Sequence, residues 1–158
     1  MEQQSVIHNT FVIEKTYPAK PERVFAAFAD PSKKRRWFVE GENHSVESHE
    51  MDFREGGKEK AQLRFNPGLP VVGGLACTNE TSYLDVVPNK RLVFASVMMI
   101  EGKSISASLC TIELLATEKG TDLLFTHQAA FFEGSDGPEM RKGGWEKLLT
   151  NLDSELSS

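Results

Sequence analysis

Polar and apolar residues alternate over much of the chain, with the period of two that is expected of β-strands with one buried face. The first such segment lies near the beginning. From residue 45 onward the alternating segments are separated by short groups of glycine, proline, asparagine and charged residues, which favour turns. Connections of this length join neighbouring strands in antiparallel pairs. The predicted strands are residues 9–16, 45–54, 59–65, 75–87, 91–100, 105–116 and 121–129.

Three further segments show helical signals. Pro21 suits the first turn of a helix, and apolar residues at helical spacing follow it. Asp30 ends this helix and can cap a second short helix over about residues 31–37. A long helix is predicted over residues 138–156. Its apolar residues at near-helical spacing are Met140, Trp145, Leu148, Leu149 and Leu152.

The order of elements is therefore one strand, two short helices, six strands and a long helix. Strands that follow one another with segregated helices indicate the α+β class. A curved seven-stranded antiparallel sheet of this kind must bury the long helix against its concave face. A length of 158 residues fits one ordinary domain, so we expect a single domain over residues 1–158 with a core over about residues 6–156.

Several short segments, spread from about residue 12 to residue 156, together resemble a known family. They are AKPERVFAAF from Ala19, DP from Asp30 followed by Trp37, DFREGG from Asp52, DVVPNKRLVF from Asp85, GTDL from Gly120 with His127, and GGW from Gly143. In this order they resemble the START-like superfamily, also called the SRPBCC or birch-pollen-allergen fold. Within it they look most like homologues of the heat-shock chaperone ATPase activator. The resemblance implies a helix-grip fold, but the superfamily includes carriers, cyclases and co-chaperone domains, so fold alone does not assign a function.

His127 is the main candidate for a polar contact inside such a fold. Leu123 and Phe125 share its strand face, because side chains alternate. On the preceding strand, Ser106 and Ser108 share a face. If both faces look inward, the concave side has an apolar part and a polar part, which suits a ligand with an apolar body and one polar group. The alternative is a filled core in which a backbone carbonyl satisfies His127.

The resemblance also implies where a ligand would lie, between the short helices, the strand loops and the last helix. We predict that the chain binds a small hydrophobic or amphipathic molecule there, with His127 as the polar anchor. The residues predicted to line or guard the cavity are Trp37, Phe94, Met98, Phe125, His127, Phe131 and Trp145.

Catalysis has less support. A cyclase- or hydratase-like enzyme would need an acid or base in the cavity, and His127 is the candidate, because imidazole titrates near neutral pH. The sequence has neither a glycine-rich phosphate loop nor a nucleophile elbow. His44 and His49 are five residues apart in a predicted strand and would face opposite ways, so no metal site is predicted. No cofactor is predicted either.

Charge bears on the possible partners. The net charge of -5, from 18 basic and 23 acidic residues, argues against a nucleic-acid-binding surface. The basic run at residues 33–36 is predicted to be the solvated face of a short helix. The alternative function is a chaperone-associated protein-interaction domain that docks through this run or through the outer sheet face. Self-association stays open.

Two further features suggest a cellular setting. The chain lacks a signal-peptide pattern at its start and has no apolar stretch long enough to span a bilayer, so we expect a cytoplasmic protein without membrane insertion. Its two cysteines, Cys77 and Cys110, do not make a disulfide framework, and free buried thiols are the expectation.

Overall fold

The computed structural model describes residues 5–157. The strands are β1 (Ile7–Tyr17), β2 (His44–Met51), β3 (Lys58–Phe65), β4 (Ala76–Val87), β5 (Arg91–Ile100), β6 (Lys103–Thr117) and β7 (Gly120–Phe131). The helices are α1 (Pro21–Ala29), α2 (Pro31–Lys34) and α3 (Gly137–Leu156), and a π-helical turn, Arg35–Val39, follows α2 directly.

The seven strands form one antiparallel sheet in the order β1-β7-β6-β5-β4-β3-β2. Strands β2 to β7 pair with their neighbours in sequence, as short turns require. Strand β1 instead pairs with β7, so β1 and β2 are the two edges, and α1 and α2 lie in the connection between them. The predicted α+β class and the helix-grip arrangement of sheet and long helix are confirmed.

Helix α3 buries one stripe of side chains. The buried residues are Arg141, Trp145, Leu149, Leu152 and Leu156, which are three or four positions apart. The stripe packs on the inner sheet face, where the rings of Trp145 and Phe125 have centroids 4.4 Å apart. The hydroxyl of Tyr17 donates to the carbonyl of Leu149 at 2.7 Å. Met140, which the sequence analysis placed among the apolar residues of this helix, is 72% exposed, because it lies one position away from the stripe.

Several predicted boundaries differ from the structure. Strand β7 extends to Phe131, two residues beyond its predicted end at residue 129. Strand β2 ends at Met51, and its register with β3 shifts between Val46 and Ser48. The second short helix continues as the π-helical turn, in which the Glu40 amide donates to the carbonyl five residues earlier at 2.8 Å. Such turns are uncommon and recur at functional sites.

The cysteines are both buried and not bonded to each other. Burial raises the pKa of Cys77 to about 11 and that of Cys110 to about 12, so both stay protonated thiols with low reactivity. Within residues 5–157, no helix is long and apolar enough to cross a membrane.

Candidate functional site

Polar side chains form a band across the concave face of the sheet. Thr81 of β4 lies opposite Ser96 of β5, and Ser96 lies opposite Ser108 of β6. The hydroxyls of Thr81 and Ser96 are 2.7 Å apart, within hydrogen-bond distance. In the next row, Asn79 lies opposite Met98, and Met98 opposite Ser106. Ordinary strand alternation therefore produces a polar centre in an otherwise apolar inner face.

This band borders a small cavity between the sheet and α3. The lining residues are Phe38, Asn79, Ser96, Met98, Ser106, Ser108, Cys110, His127, Arg141 and Trp145. Its volume is about 30 Å³, which is enough for roughly two water molecules at about 15 Å³ each. Pockets for drug-sized ligands measure roughly 300–1,000 Å³. At this place in the described part of the chain, the structure does not show the ligand-sized apolar cavity that the sequence predicts.

His127 is the most unusual side chain in the cavity wall. It is 1% exposed, and its ring stacks on Phe11 with centroids 4.4 Å apart. Neither ring nitrogen has a hydrogen-bond partner among residues 5–157. Of the alternative, a filled core in which a backbone carbonyl satisfies His127, the nearly filled interior is observed and the carbonyl partner is not found in the described part of the chain. Leaving a buried donor and a buried acceptor unpaired costs on the order of 1–3 kcal/mol each, so the arrangement needs a reason.

The imidazole of His127 is uncharged at neutral pH. Burial lowers its pKa to about 4, and the nearby positive charge of Arg141 acts in the same direction. A neutral imidazole carries one N–H donor and one acceptor nitrogen. His127 thus carries, at the cavity wall, one donor and one acceptor that are unpaired among the described residues.

Arg141 forms the opposite wall. Its guanidinium donates to both carboxylate oxygens of Asp136, at 2.9 and 2.8 Å, and to the hydroxyl of Ser106 at 2.9 Å. It also lies 5.2 Å from the centre of the Phe131 ring. Burial alone would raise the pKa of Asp136, but the hydrogen bonds and charge of Arg141 outweigh it and hold that pKa below its usual range. Arg141 is thus a buried cation whose charge is already balanced.

A second buried ionic group lies behind Phe38. Lys34 pairs with Glu59 at 2.5 Å, and Glu59 also accepts from the Tyr83 hydroxyl and lies 2.8 Å from Nε2 of His49. Burial opposes the charge of Glu59, yet Lys34 and these hydrogen bonds lower its pKa to about 2. The ammonium of Lys34 lies 4.7 Å from the ring centre of Phe38, so this ionic group supports a residue of the cavity wall.

These contacts correct the prediction for the basic run at residues 33–36. Lys34 is 3% exposed and does not lie on a solvated face. Arg36 is exposed and pairs with Glu155 through two hydrogen bonds, and Arg35 pairs with Glu40 at 3.2 Å. Lys34 is buried because Glu59 supplies the opposite charge from β3, 25 residues along the chain, which sequence inspection did not reveal.

The seven residues predicted to bind a ligand fall into two groups in the structure. Three of them line the cavity: Met98, His127 and Trp145. The other four do not line it: Trp37, Phe94, Phe125 and Phe131. Of these, Trp37 is fully buried under α1 and donates to the carbonyl of Ala27 at 2.8 Å. Phe125 lies beneath Trp145 in the core.

Arg141, Asn79 and Ser96 line the cavity but were not predicted from the sequence. A signal for Arg141 was present, because it stands four residues before Trp145 and so continues the buried stripe of α3. For Ser96, the signal was the strand phase set by Phe94. For Asn79, the phase of β4 gives the same information, since Cys77 and Asn79 share a face.

The surroundings of the histidines bear on catalysis and metal binding. His44 and His49 were expected on opposite strand faces, which is wrong. The register shift in β2 places them opposite Phe65 and Ala61, which share one face of β3. His44 contacts the carbonyl of Val39 at 2.6 Å. In the described part of the chain, no three His, Cys, Asp or Glu residues are placed to hold a metal ion.

Comparisons with known proteins fit this architecture. The profile of the family described as "Activator of Hsp90 ATPase homolog 1-like protein" matches residues 18–157. The chain belongs to this family. The predicted resemblance is thereby confirmed, and family membership supports a ligand-binding or chaperone-activator-like domain without specifying a ligand.

Several solved structures resemble this chain over nearly its whole length. A protein from Rhizobium leguminosarum is 35% identical, with a TM-score of 0.87 and 97% of each chain covered. A protein from Rhizobium loti is 41% identical, with a TM-score of 0.83, 96% of this chain and 99% of that chain covered. An AHSA1-like protein from Aeromonas hydrophila, at 20% identity and a TM-score of 0.70 over 94% of this chain and 92% of that chain, shares the fold. A comparison with curated proteins gives no match.

Proposed function

We propose that this protein binds a small, mainly apolar molecule with one polar end, in the space between the concave sheet face and α3. The observation that carries the proposal is the side chain of His127, which is buried at the cavity wall with both ring nitrogens unpaired within residues 5–157. A bound molecule that reaches these nitrogens would remove a cost that the protein otherwise bears.

Apolar groups around the polar centre would hold the rest of the molecule. Phe38, Met98 and Trp145 stand beside His127 in the same wall. The aromatic rings of Phe38 and Trp145 have centroids 5.6 Å apart, so the pair closes the cavity between the π-helical turn and α3. Methionine adapts its shape at low cost, which allows the wall to fit more than one ligand.

A cavity of about 30 Å³ must widen before it can take such a molecule. The first half of α3 is the element best suited to move, because Gly143 and Gly144 lower its helix propensity by roughly 1 kcal/mol per glycine. Gly137, at the start of the helix, has φ +84, a conformation that allows the preceding loop to turn sharply. Movement of this half-helix would carry Arg141 and Trp145 away from the sheet.

Native mass spectrometry of freshly purified protein tests the proposal. The expected result is an extra mass that is present in the native spectrum and absent from the denatured one. His127→Phe should lower the bound fraction, whereas the control His8→Phe, at an exposed position of β1, should not. An unliganded mass, together with no change in melting temperature on adding short apolar alcohols, would overturn the proposal.

The chaperone-docking alternative has less support from the contacts described above. One of its two proposed surfaces was the basic run at residues 33–36, the other being the outer sheet face, and three of the four residues of the run are engaged in ion pairs within the chain. Exposed ion pairs contribute little to stability but do compete with an external partner for the same charges. Ligand binding is therefore the function we put forward.

A further inference from the structure

We propose that the polar end of the bound molecule is an uncharged hydroxyl group, and not a carboxylate or an ammonium group. This inference rests on the proposed function and narrows it to a chemical class: alcohols with an apolar body. It follows from two independent features of the cavity, its balanced charges and the pairing requirements of His127.

The charges beside the cavity are balanced within the protein. The guanidinium of Arg141 is held by both oxygens of Asp136, at 2.8 and 2.9 Å. Behind Phe38, Lys34 is held by Glu59 at 2.5 Å. A carboxylate would therefore enter a buried space whose cations are already paired, and an ammonium group would find anions that are already paired. An unpaired charge in such a place carries a large desolvation cost.

The neutral ring of His127 presents a donor at one nitrogen and an acceptor at the other, and a hydroxyl can pair with either of them. One nitrogen carries a hydrogen and the other a lone pair, in either tautomer, and neither is paired within residues 5–157. Its charged form is disfavoured, because burial lowers its pKa to about 4. A hydroxyl can donate to the bare nitrogen and still accept a hydrogen bond. A carboxylate can only accept, and an ammonium group can only donate.

Ser106 supplies a suitable donor in the same wall. Its oxygen accepts from Arg141 at 2.9 Å, and that bond leaves its own hydrogen available for a ligand oxygen. A ligand hydroxyl that donates to His127 and accepts from Ser106 would thus be satisfied in both directions. An ether has the same oxygen but no hydrogen, so it cannot donate to the bare nitrogen of His127.

Four probes with six carbon atoms each test this inference: 1-hexanol, hexanoate, hexylammonium and methyl pentyl ether, titrated at pH 7.5 and followed by protein NMR. We expect 1-hexanol to bind about tenfold more tightly than each of the other three. His127→Phe should abolish the advantage of 1-hexanol over the ether while the ether still binds. Ser106→Ala should reduce that advantage, and Ser104→Ala, at an exposed position of β6, should leave it unchanged.

The outcomes separate this inference from the proposed function. If hexanoate or hexylammonium binds as tightly as 1-hexanol, or if the ether does, the hydroxyl inference is overturned while binding in the cavity stands. If none of the four probes binds and the native mass is unliganded, both are overturned. Melting curves of the variants show whether each is folded, so a loss of the hydroxyl preference in a folded His127→Phe variant supports the inference.

Discussion

Arg141 donates a hydrogen bond of 2.9 Å to the hydroxyl of Ser106, and this bond joins the first turns of α3 to the inner face of β6. The same guanidinium holds Asp136, the residue just before the helix. One side chain therefore fixes the start of α3 and forms part of the cavity wall. Access to the cavity and stability of the fold depend on the same contact.

Arg141→Met should destabilise the protein by about 2 kcal/mol, because Asp136, which is partly buried, would lose its cation. Chemical denaturation measures this change.

A double variant tests whether the two groups are coupled. Asp136→Asn should reduce the penalty of Arg141→Met, so that the double variant loses less stability than the sum of the two single changes. Strict additivity would contradict a direct coupling between the two groups. Arg54→Met is the control, since Arg54 forms an exposed pair with Asp52 and should change little.

The sequence predicted the fold well because its signals are local. Strand alternation and turn residues give seven strands, and the strand phase alone turns His127 and Ser106 inward. The ionic contacts could not be predicted in this way. Lys34 is buried because of Glu59 on β3, a pairing that only the tertiary structure brings about. Met140 was chosen over Arg141 because hydrophobicity was followed where helical spacing was the better guide.

The pH dependence of stability should report on His127. Its pKa is lowered to about 4 from the ordinary value of 6.5. Between these two pH values the imidazole is protonated in the unfolded chain and neutral in the folded protein. Stability is therefore unaffected by this group above pH 6.5 and declines as the pH falls from 6.5 towards 4. The loss amounts to about 3 kcal/mol by linkage. Thermal melting between pH 7.5 and 4 measures it.

His127→Phe should remove most of this decline, since phenylalanine keeps the stacking on Phe11 and does not titrate. The exposed His8 provides the matched control, because His8→Phe should leave the pH profile as it is. An identical decline in the wild type and in His127→Phe would show that another group is responsible.

Replacing either glycine of the pair Gly143 and Gly144 in α3 with alanine should stabilise the protein. A Cβ atom added at Gly143 or Gly144 would meet no atom within 4 Å, and both residues are exposed. Each change to alanine should therefore stabilise the protein by about 0.5–1 kcal/mol. If this half-helix moves to admit ligands, the same variants should slow the exchange of 1-hexanol, which NMR line shapes report.

Gly137→Ala is the matched contrast for the pair. Its added Cβ would also meet open space, but its φ of +84 is unfavourable for alanine, and we expect a loss of about 1 kcal/mol. A stabilising effect at Gly137, or a destabilising one at Gly143, would be inconsistent with the helix geometry described here.

Glu59→Gln should be the most damaging of the single changes considered, by about 3–5 kcal/mol. The amide keeps the size of the side chain and can still accept from Tyr83, but Lys34 then remains as a buried cation without its anion. Glu80→Gln is the control. Glu80 on β4 forms an exposed ion pair with Lys60 on β3, with 3.6 Å between the carboxylate oxygen and the ammonium nitrogen. Urea denaturation of both variants gives the comparison.

The pH window of this ionic group also distinguishes it from His127. The pKa of Glu59 is lowered to about 2 from 4.5, so its contribution is complete above pH 4.5 and is lost only as the pH falls towards 2. His127 acts between pH 6.5 and 4, and the two declines should therefore appear one after the other on acidification. Glu59→Gln should remove only the decline at the lower pH.

The double variant Lys34→Met with Glu59→Gln identifies the source of the penalty. If it recovers most of the stability lost in Glu59→Gln, the penalty comes from the unpaired ammonium of Lys34. If it recovers none, the hydrogen bonds of the carboxylate to Tyr83 and His49 are the main contribution.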